Sequence, residues 1–318
     1  MRFFIFNITS RCNFSCPQCL RGSGGTDDLP LQQYLGALTQ LERIGYEGVS
    51  FTGGEPGLHP AFPEMTREAA RRGFRVAFIS NGSLLDRYRF LAEDLLGSLH
   101  SACFSLDGST ARLHNELRPP GSFARVIEAV RHFVDRGVHT KILMTLSRVN
   151  RHDIGKMVEL ADTLGIRSLV FSSLITTPQT GPHVLNDAEK RACTEEIGRY
   201  SQRPSGARVF TCSTLSTRGG IDFCTDLKGS GVTVNPKGEL VFCCDTIGSG
   251  AVLGFLKDSP LVDHLARAFE VSRKLKQIRH QILKEGPVPE GFDTCDFCNW
   301  ALARLIRHPE IPKGESGK

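Results

Sequence analysis

The run Asn7-Ile8-Thr9-Ser10-Arg11-Cys12-Asn13-Phe14-Ser15-Cys16-Pro17-Gln18-Cys19 follows directly on an apolar stretch and sets three cysteines at C-x3-C-x2-C on one short loop. The stretch that feeds it, residues 2–8, has the aromatic and β-branched make-up of a strand. Outward from this loop the same rhythm recurs. Further strands are expected at 48–52, 75–80, 101–106, 141–146 and 168–174, and amphipathic helices at 31–44, 61–72, 84–96, 123–136 and 153–164. Gly45, Gly73 and Gly137 stand just past three of these helices as stop signals. Six strands, each followed by a helix, predict a parallel sheet with right-handed crossovers, and hence an α/β barrel or part of one. In such barrels the working residues sit at the C-terminal ends of strands. The cysteine loop falls at one of those ends.

Three thiols within eight residues, among Arg11, Asn13 and Gln18, do not have the surroundings of core cysteines. A structural zinc site would want a fourth ligand nearby and commonly pairs two C-x2-C units. Three thiolates on one loop instead suit a [4Fe-4S] cube with one iron left for another ligand. The chain carries 11 cysteines in 318 residues. A chain of this length needs no disulfide staples, so metal or thiol chemistry in a reducing cytoplasm is the expectation. At 40% hydrophobic and 23% charged residues the composition is that of a globular chain, not a disordered or coiled-coil one. No apolar run reaches the about 20 residues of a membrane span, and the start has no signal-peptide pattern. The net charge of +5 is spread along the chain. A basic group at Arg273, Lys274, Lys276, Arg279 and Lys284 is expected to be a solvated helix face rather than a nucleic-acid footprint.

The rhythm breaks after Leu174. A Thr/Pro/Gly loop over 175–183 leads to a polar helix at 187–202, and 203–230 show no clear periodicity. Residues 232–242 read as a β-hairpin turning at Pro236-Lys237-Gly238, and a long helix is expected over 260–283. The expected organisation is a barrel over 1–180, a connecting helix and loop over 181–230, and a hairpin-plus-helix region over 231–318 that draws in Cys224. Cys103 and Cys193 read as small core residues.

With these residues in view, the chain resembles the radical S-adenosylmethionine (SAM) superfamily. That family carries the C-x3-C-x2-C triad after the first strand of a partial (β/α)6 TIM barrel. The resemblance implies that Cys12, Cys16 and Cys19 hold a [4Fe-4S] cluster whose open iron is chelated by SAM. Further matches follow in order at strand ends. Gly53-Gly54-Glu55-Pro56 is similar to the family's GGE segment, whose bare backbone lies against the methionine part of SAM. Ser80-Asn81-Gly82 and Ser105-Leu106-Asp107-Gly108, with Arg118 downstream, resemble positions that hold the SAM ribose and carboxylate. The residue before the third cysteine is commonly aromatic in that family; here it is Gln18.

A second set, Cys224, Cys243 or Cys244, Cys295 and Cys298, resembles the twitch domain, the shortened SPASM domain, in which a hairpin and a helix carry one auxiliary [4Fe-4S] cluster. A zinc tetrad on the same four ligands is the alternative. The resemblance implies reductive cleavage of SAM to a 5'-deoxyadenosyl radical that abstracts a substrate hydrogen. The expected substrate is a ribosomally made peptide, modified by epimerisation, cross-linking or oxidation. A small molecule such as an aminosugar is the alternative, and a metal scaffold or electron carrier without SAM chemistry is the alternative of another class. The expected partners are the peptide, a separate peptide-recognition protein, and a flavodoxin- or ferredoxin-type electron donor, with no nucleic acid and no membrane. Adjacent residues on a strand face opposite ways, so only one of Cys243 and Cys244 can meet the cluster. Cys244 and Cys212 are then candidate thiols that return a hydrogen atom to a substrate radical.

Overall fold

Strand β1 (Phe3–Thr9) turns Phe4, Phe6 and Ile8 into a fully buried face, and the strands beside it do the same. In the computed structural model the described residues are 1–20, 24–176, 180–215, 232–243 and 252–285, together with 298, 301, 302 and 305. Beyond β1 the chain runs α1 (Leu31–Arg43), β2 (Gly48–Gly53), α2 (Phe62–Arg71), β3 (Arg75–Ser80), α3 (Arg89–Glu93), β4 (Leu99–Ser105), α4 (Ala111–Leu117), α5 (Ser122–Asp135), β5 (Thr140–Leu146), α6 (Ile154–Thr163) and β6 (Ser168–Ser173). It continues through α7 (Asp187–Ser201), β7 (Arg208–Thr211), β8 (Thr233–Val234), β9 (Glu239–Val241), β10 (Val252–Phe255) and α8 (Leu261–Glu285).

One apolar stripe per helix explains the packing. Helix α1 buries Tyr34, Ala37, Leu38 and Leu41; α5 buries Val126, Ala129, Val130 and Phe133; α6 buries Ile154, Met157, Val158 and Ala161. Each set follows the i, i+3, i+4, i+7 spacing of a helix face. These stripes cover the outer face of the sheet, where aromatic rings meet edge to face, as Phe6 with Tyr34 at 5.0 Å and Phe51 with Phe62 at 5.7 Å. The other face is concave, with half-buried side chains such as Ile5, Leu143 and Val170.

The sheet has ten described strands in the order β10-β9-β8-β1-β2-β3-β4-β5-β6-β7 and does not close. Strands β8 and β1 to β7 run parallel to one another, and β9 is antiparallel to both β8 and β10. This is the open (β/α)6 barrel expected, extended at both edges. The boundary expected near residue 180 does not interrupt the sheet, because β7 pairs with β6 and the hairpin strand β8 pairs with β1. The hairpin turns where expected: Asn235 Oδ1 accepts from the N–H groups of Lys237 at 3.0 Å and Glu239 at 3.1 Å, and Gly238 has φ +75°.

Three expectations need correction. The single helix at 84–96 is a one-turn 3-10 helix at Leu85–Arg87 followed by the short α3. Buried Tyr88, stacked on Phe78 at 4.8 Å, occupies the junction. Arg279 on α8 is buried rather than solvated, so the basic group at 273–284 is not one exposed face. Cys193 is a core residue, but Cys103 is half-buried on the concave face of β4, and burial there pushes its thiol up to about 12. Cys224, Cys244 and Cys295 lie outside the described residues. Among the described residues no helix is long and apolar enough to cross a membrane.

Candidate active site

The cysteine loop leaves β1 at its C-terminal end and is tied to the end of β2 by the backbone. The Gly54 N–H donates to Thr9 O at 2.7 Å and the Glu55 N–H to Arg11 O at 2.7 Å. The approach is so close that a Cβ on Gly54 would lie 2.2 Å from Arg11 O, and one on Gly53 2.5 Å from Thr9 O. The two glycines are therefore required by contact with the loop that carries the cysteines. The acidic residue of the same segment has a separate task. Glu55 is fully buried; Oε1 accepts from Ser80 Oγ at 2.8 Å and from the Tyr88 hydroxyl, and Oε2 from the Asn81 N–H at 2.8 Å. With both oxygens taken, its carboxylate braces β2 to β3, and only the backbone of this segment faces the loop.

Asn81 extends that brace to the first cysteine. Its Nδ2 donates to Asn13 Oδ1 at 3.0 Å and lies 3.9 Å from Cys12 Sγ, while its Oδ1 accepts from the Ser83 N–H at 2.9 Å. The Phe14 N–H is 3.4 Å from the same sulfur, and the Cys19 N–H closes the loop on Cys16 O at 3.1 Å. Burial raises the Cys12 thiol above its ordinary range. Burial takes Cys16 to about 11, against the lowering pull of the Arg118 guanidinium. Thiolates are the ligand form, so a metal centre would displace these protons.

The far wall turns on a residue that the motif reading quoted but did not single out. Asp107 is fully buried beyond β4; its Oδ2 accepts from Arg118 Nε at 2.6 Å and Gln18 Nε2 at 3.3 Å, and its Oδ1 from the Thr145 N–H at 2.9 Å. Asn150 Nδ2 holds its carbonyl at 2.9 Å, and its own N–H donates to His114 Nδ1 at 3.1 Å. One carboxylate thus joins the cysteine loop, α4 and β5. The signal available in sequence was an Asp at a strand end, which is too common to single out.

The residues present fit an iron-sulfur cube, which takes thiolate ligands such as the three cysteines of this one loop. Among the described residues no group of three His, Cys, Asp or Glu converges on one metal position. A cube spreads its cysteines over different irons and asks for no such convergence. Gln18 Oε1 and Asn7 Oδ1 are buried acceptors with no donor among the described residues beside this loop and the GGE backbone, as a site built for a further ligand would leave them. Ser105 is half-buried at the end of β4. Cys212 follows β7 and gives its N–H to Phe171 O at 2.7 Å, which puts it at the same end of the sheet. Cys243 does not join this group. Strand β9 runs antiparallel, with Val241 opposite Thr233 and Thr233 opposite Ile5, so Cys243 emerges toward the N-terminal ends of the parallel strands. Cys298 is buried within the apolar cluster, and Cys243 packs against that cluster.

The comparisons agree with this geometry. Residues 6–161 match the model of the Radical SAM superfamily. The mycofactocin maturase MftC of Mycobacterium ulcerans is 31% identical over 166 residues, which cover 50% of this chain and 44% of that protein. The chain spans about half the length of the curated relatives it matches. Among solved structures, Streptococcus suis SuiB bound to precursor peptide SuiA superposes with a TM-score of 0.68 at 17% identity, covering 82% of this chain and 63% of SuiB. The anSMEcpe structure with bound AdoMet and Cp18Cys peptide gives 0.67 at 16% identity, covering 97% and 98%. At such identities these likenesses are likenesses of fold. A cysteine loop at the end of β1, a GGE backbone pinned to it and a matched family model lead to one conclusion: residues 6–161 of this chain form a Radical SAM domain.

Proposed function

We propose that this protein is a radical SAM enzyme that modifies a ribosomally made peptide at a carbon–hydrogen bond. The observation that carries the reading is the cysteine loop held between the GGE backbone and the buried Asp107–Arg118 pair at the C-terminal ends of the strands. In this reading Cys12, Cys16 and Cys19 would hold a [4Fe-4S] cluster, and the Gly53-Gly54 backbone, Asn81, Ser105 and Arg118 would hold SAM. When bound, cluster and SAM together supply a 5'-deoxyadenosyl radical. The chain's own residues orient and shield. The Gly53-Gly54 backbone presents a flat wall, Asn81 steadies the loop at Cys12, and Arg118, aligned by Asp107, offers a cation to a carboxylate. Ser105 stands at the ribose side. The half-buried concave face below takes the substrate and keeps water from a reactive intermediate.

A second [4Fe-4S] cluster on Cys224, Cys243, Cys295 and Cys298 belongs to the same reading. It is supported by Cys243 two residues past the hairpin strand β9 and by a buried Cys298. In this reading the antiparallel run of β9, which carries the chain toward Cys243 at the N-terminal ends of the parallel strands, is in keeping with a second cluster at the end of the barrel away from the first. The peptide is supported by the company the chain keeps: SuiB was solved with a precursor peptide and anSMEcpe with a Cp18Cys peptide. A separate recognition protein and a flavodoxin- or ferredoxin-type donor complete the proposal.

The test is anaerobic reconstitution, reduction with SAM, and incubation with peptides encoded beside the gene, followed by mass and deuterium transfer into 5'-deoxyadenosine. Changing Cys12, Cys16 and Cys19 together to Ala is expected to abolish 5'-deoxyadenosine while iron and sulfide remain at about four each per chain, the content of one cube. Continued SAM cleavage by that variant would overturn the first site. Zinc without sulfide would overturn the second, and label arriving only from a small molecule would overturn the peptide.

A further inference from the structure

The concave face of the sheet is layered, and its deepest layer carries positive charge that no carboxylate among the described residues pairs. Along β5 the buried residues Thr140, Ile142, Met144 and Leu146 alternate with half-buried Lys141, Leu143 and Thr145. Register carries these layers across the sheet. Cys103 stands opposite Lys141, Lys141 opposite Ser168, and Ser168 opposite Arg208; one layer up, Ser105, Leu143, Val170 and Phe210 follow in the same way. The upper layer is mostly apolar, and Phe210 is 45% exposed there. Thr145, whose N–H reaches Asp107, is four residues along the strand from Lys141, so Lys141 lies about 13 Å below the Asp107 level at about 3.3 Å per residue.

Around Lys141 the charges are of one sign. His139 Nε2 contacts Ser168 Oγ at 2.9 Å, its ring lies 6.3 Å from that of His100, and His100 meets Phe3 of β1 at 4.8 Å across the barrel floor. Burial brings His139 down to about 4, and Lys141, Arg167, His100 and Arg208 all add to the fall. Two described carboxylates near this end are engaged elsewhere. Glu47 holds the Met1 ammonium at 3.5 Å and the Arg2 N–H at 2.6 Å, and Asp162 holds Arg203 at 2.6 Å and the Ala207 N–H at 2.8 Å. Neither Lys141 nor Arg208 has an ion pair among the described residues; the Arg208 guanidinium lies over the Phe210 ring, 5.9 Å from its centre, a contact that leaves its charge open to an anion.

We infer that Lys141 and Arg208 form an anion subsite at the floor of the substrate cavity, which selects a peptide carrying a carboxylate on an apolar stem. The two residues flank Ser168 one strand away on either side, about 10 Å apart at about 4.8 Å per strand. Two long cationic side chains close that gap around one carboxylate, and Leu143, Val170 and Phe210 cover the stem above it. A phosphate is the poorer occupant. The crossover helices bring their C-terminal carbonyls to this end, and the backbone N–H cradle of phosphate sites belongs to helix N-termini. The inference rests on the peptide reading of the cavity, but its test needs no turnover.

The cluster-reconstituted chain is labelled with an amine-reactive reagent, and Lys141 is followed by peptide mass mapping, with exposed Lys276 as the internal reference. Triglutamate blocked at both ends reports a side-chain carboxylate, and acetyl-Leu-Leu with a free C-terminus reports a terminal one. One of them is expected to slow Lys141 labelling about sixfold at about 10 mM, the protection of a site with a Kd of about 2 mM. Blocked triglutamine is expected to leave the rate unchanged, and Arg208→Gln to remove most of the protection. Protection by neither carboxylate, equal protection by triglutamine, full protection in Arg208→Gln, or protection by tripolyphosphate alone would each overturn the subsite. Absence of 5'-deoxyadenosine would count against the proposed reaction and leave this result standing.

Discussion

Asp107 and the two glycines of the GGE segment show how single residues hold the cysteine loop in place. A methyl group on Gly54 would enter the space of Arg11 O, at 2.2 Å, and that carbonyl is itself bonded to the Glu55 N–H. Gly54→Ala is therefore expected to cost about 1 to 3 kcal/mol in urea unfolding and to lower SAM cleavage far more than stability, because the loop must shift as a unit. Wild-type cleavage in that variant would refute the argument. His114 gives the site a pH response. Burial, and then the nearby Arg118 charge, bring it to about 4, below the about 6.5 of an unfolded histidine. The unfolded chain binds the extra proton first as pH falls, so stability is complete above about 6.5 and is lost toward about 4, by at most about 1.4 kcal/mol per pH unit from this residue. Its Nδ1 accepts from the Asp107 N–H, so protonation also removes a bond of the Asp107 junction. Urea midpoints measured across that window in wild type and in His114→Gln should converge at the acid end; parallel curves would exclude His114 as the source.

Elements with a clear period were legible in advance, and those without one were not. Helices α1, α5 and α6 each present four buried residues on one stripe, and strand β3 lies at 75–80 as expected. Strand β7 was missed because Arg208-Val209-Phe210-Thr211 buries one residue in four, so no alternation marks it. The hairpin was visible as a turn, but its docking was not. Gly238 stands at φ +75° and a Cβ there would lie 2.3 Å from Gln33 Oε1 of α1. Gly238→Ala is expected to destabilise the protein by about 1 kcal/mol or more through the left-handed backbone alone, with Gln33 free to swing aside. The check is chemical denaturation of Gly238→Ala beside Gln33→Ala, which should cost less; the reverse order would mean that the contact, not the backbone, dominates.

At the scale of the molecule, the open barrel brings to one end residues that are far apart in the chain. Cys212 illustrates the consequence. It lies about 200 positions from Cys12, yet β7 carries it to the end of the sheet where the cysteine loop stands. If its thiol returns a hydrogen atom to a substrate radical, turnover in deuterium oxide puts one deuterium into the product, and Cys212→Ala removes that label while 5'-deoxyadenosine continues to form. A product short of two hydrogens and free of deuterium would exclude the thiol and point to oxidation. The cysteine spacing, the glycine pair and the strand–helix rhythm were all readable along the chain, because ligand spacing and hydrophobic period are local properties. The Asp107 junction, the pairing of β8 with β1, the buried Arg279 and the Lys141–Arg208 layer were not. Each depends on which strands become neighbours and in what register, and that is set by the packing of the helix stripes on one face of the sheet, long after any local pattern has ended.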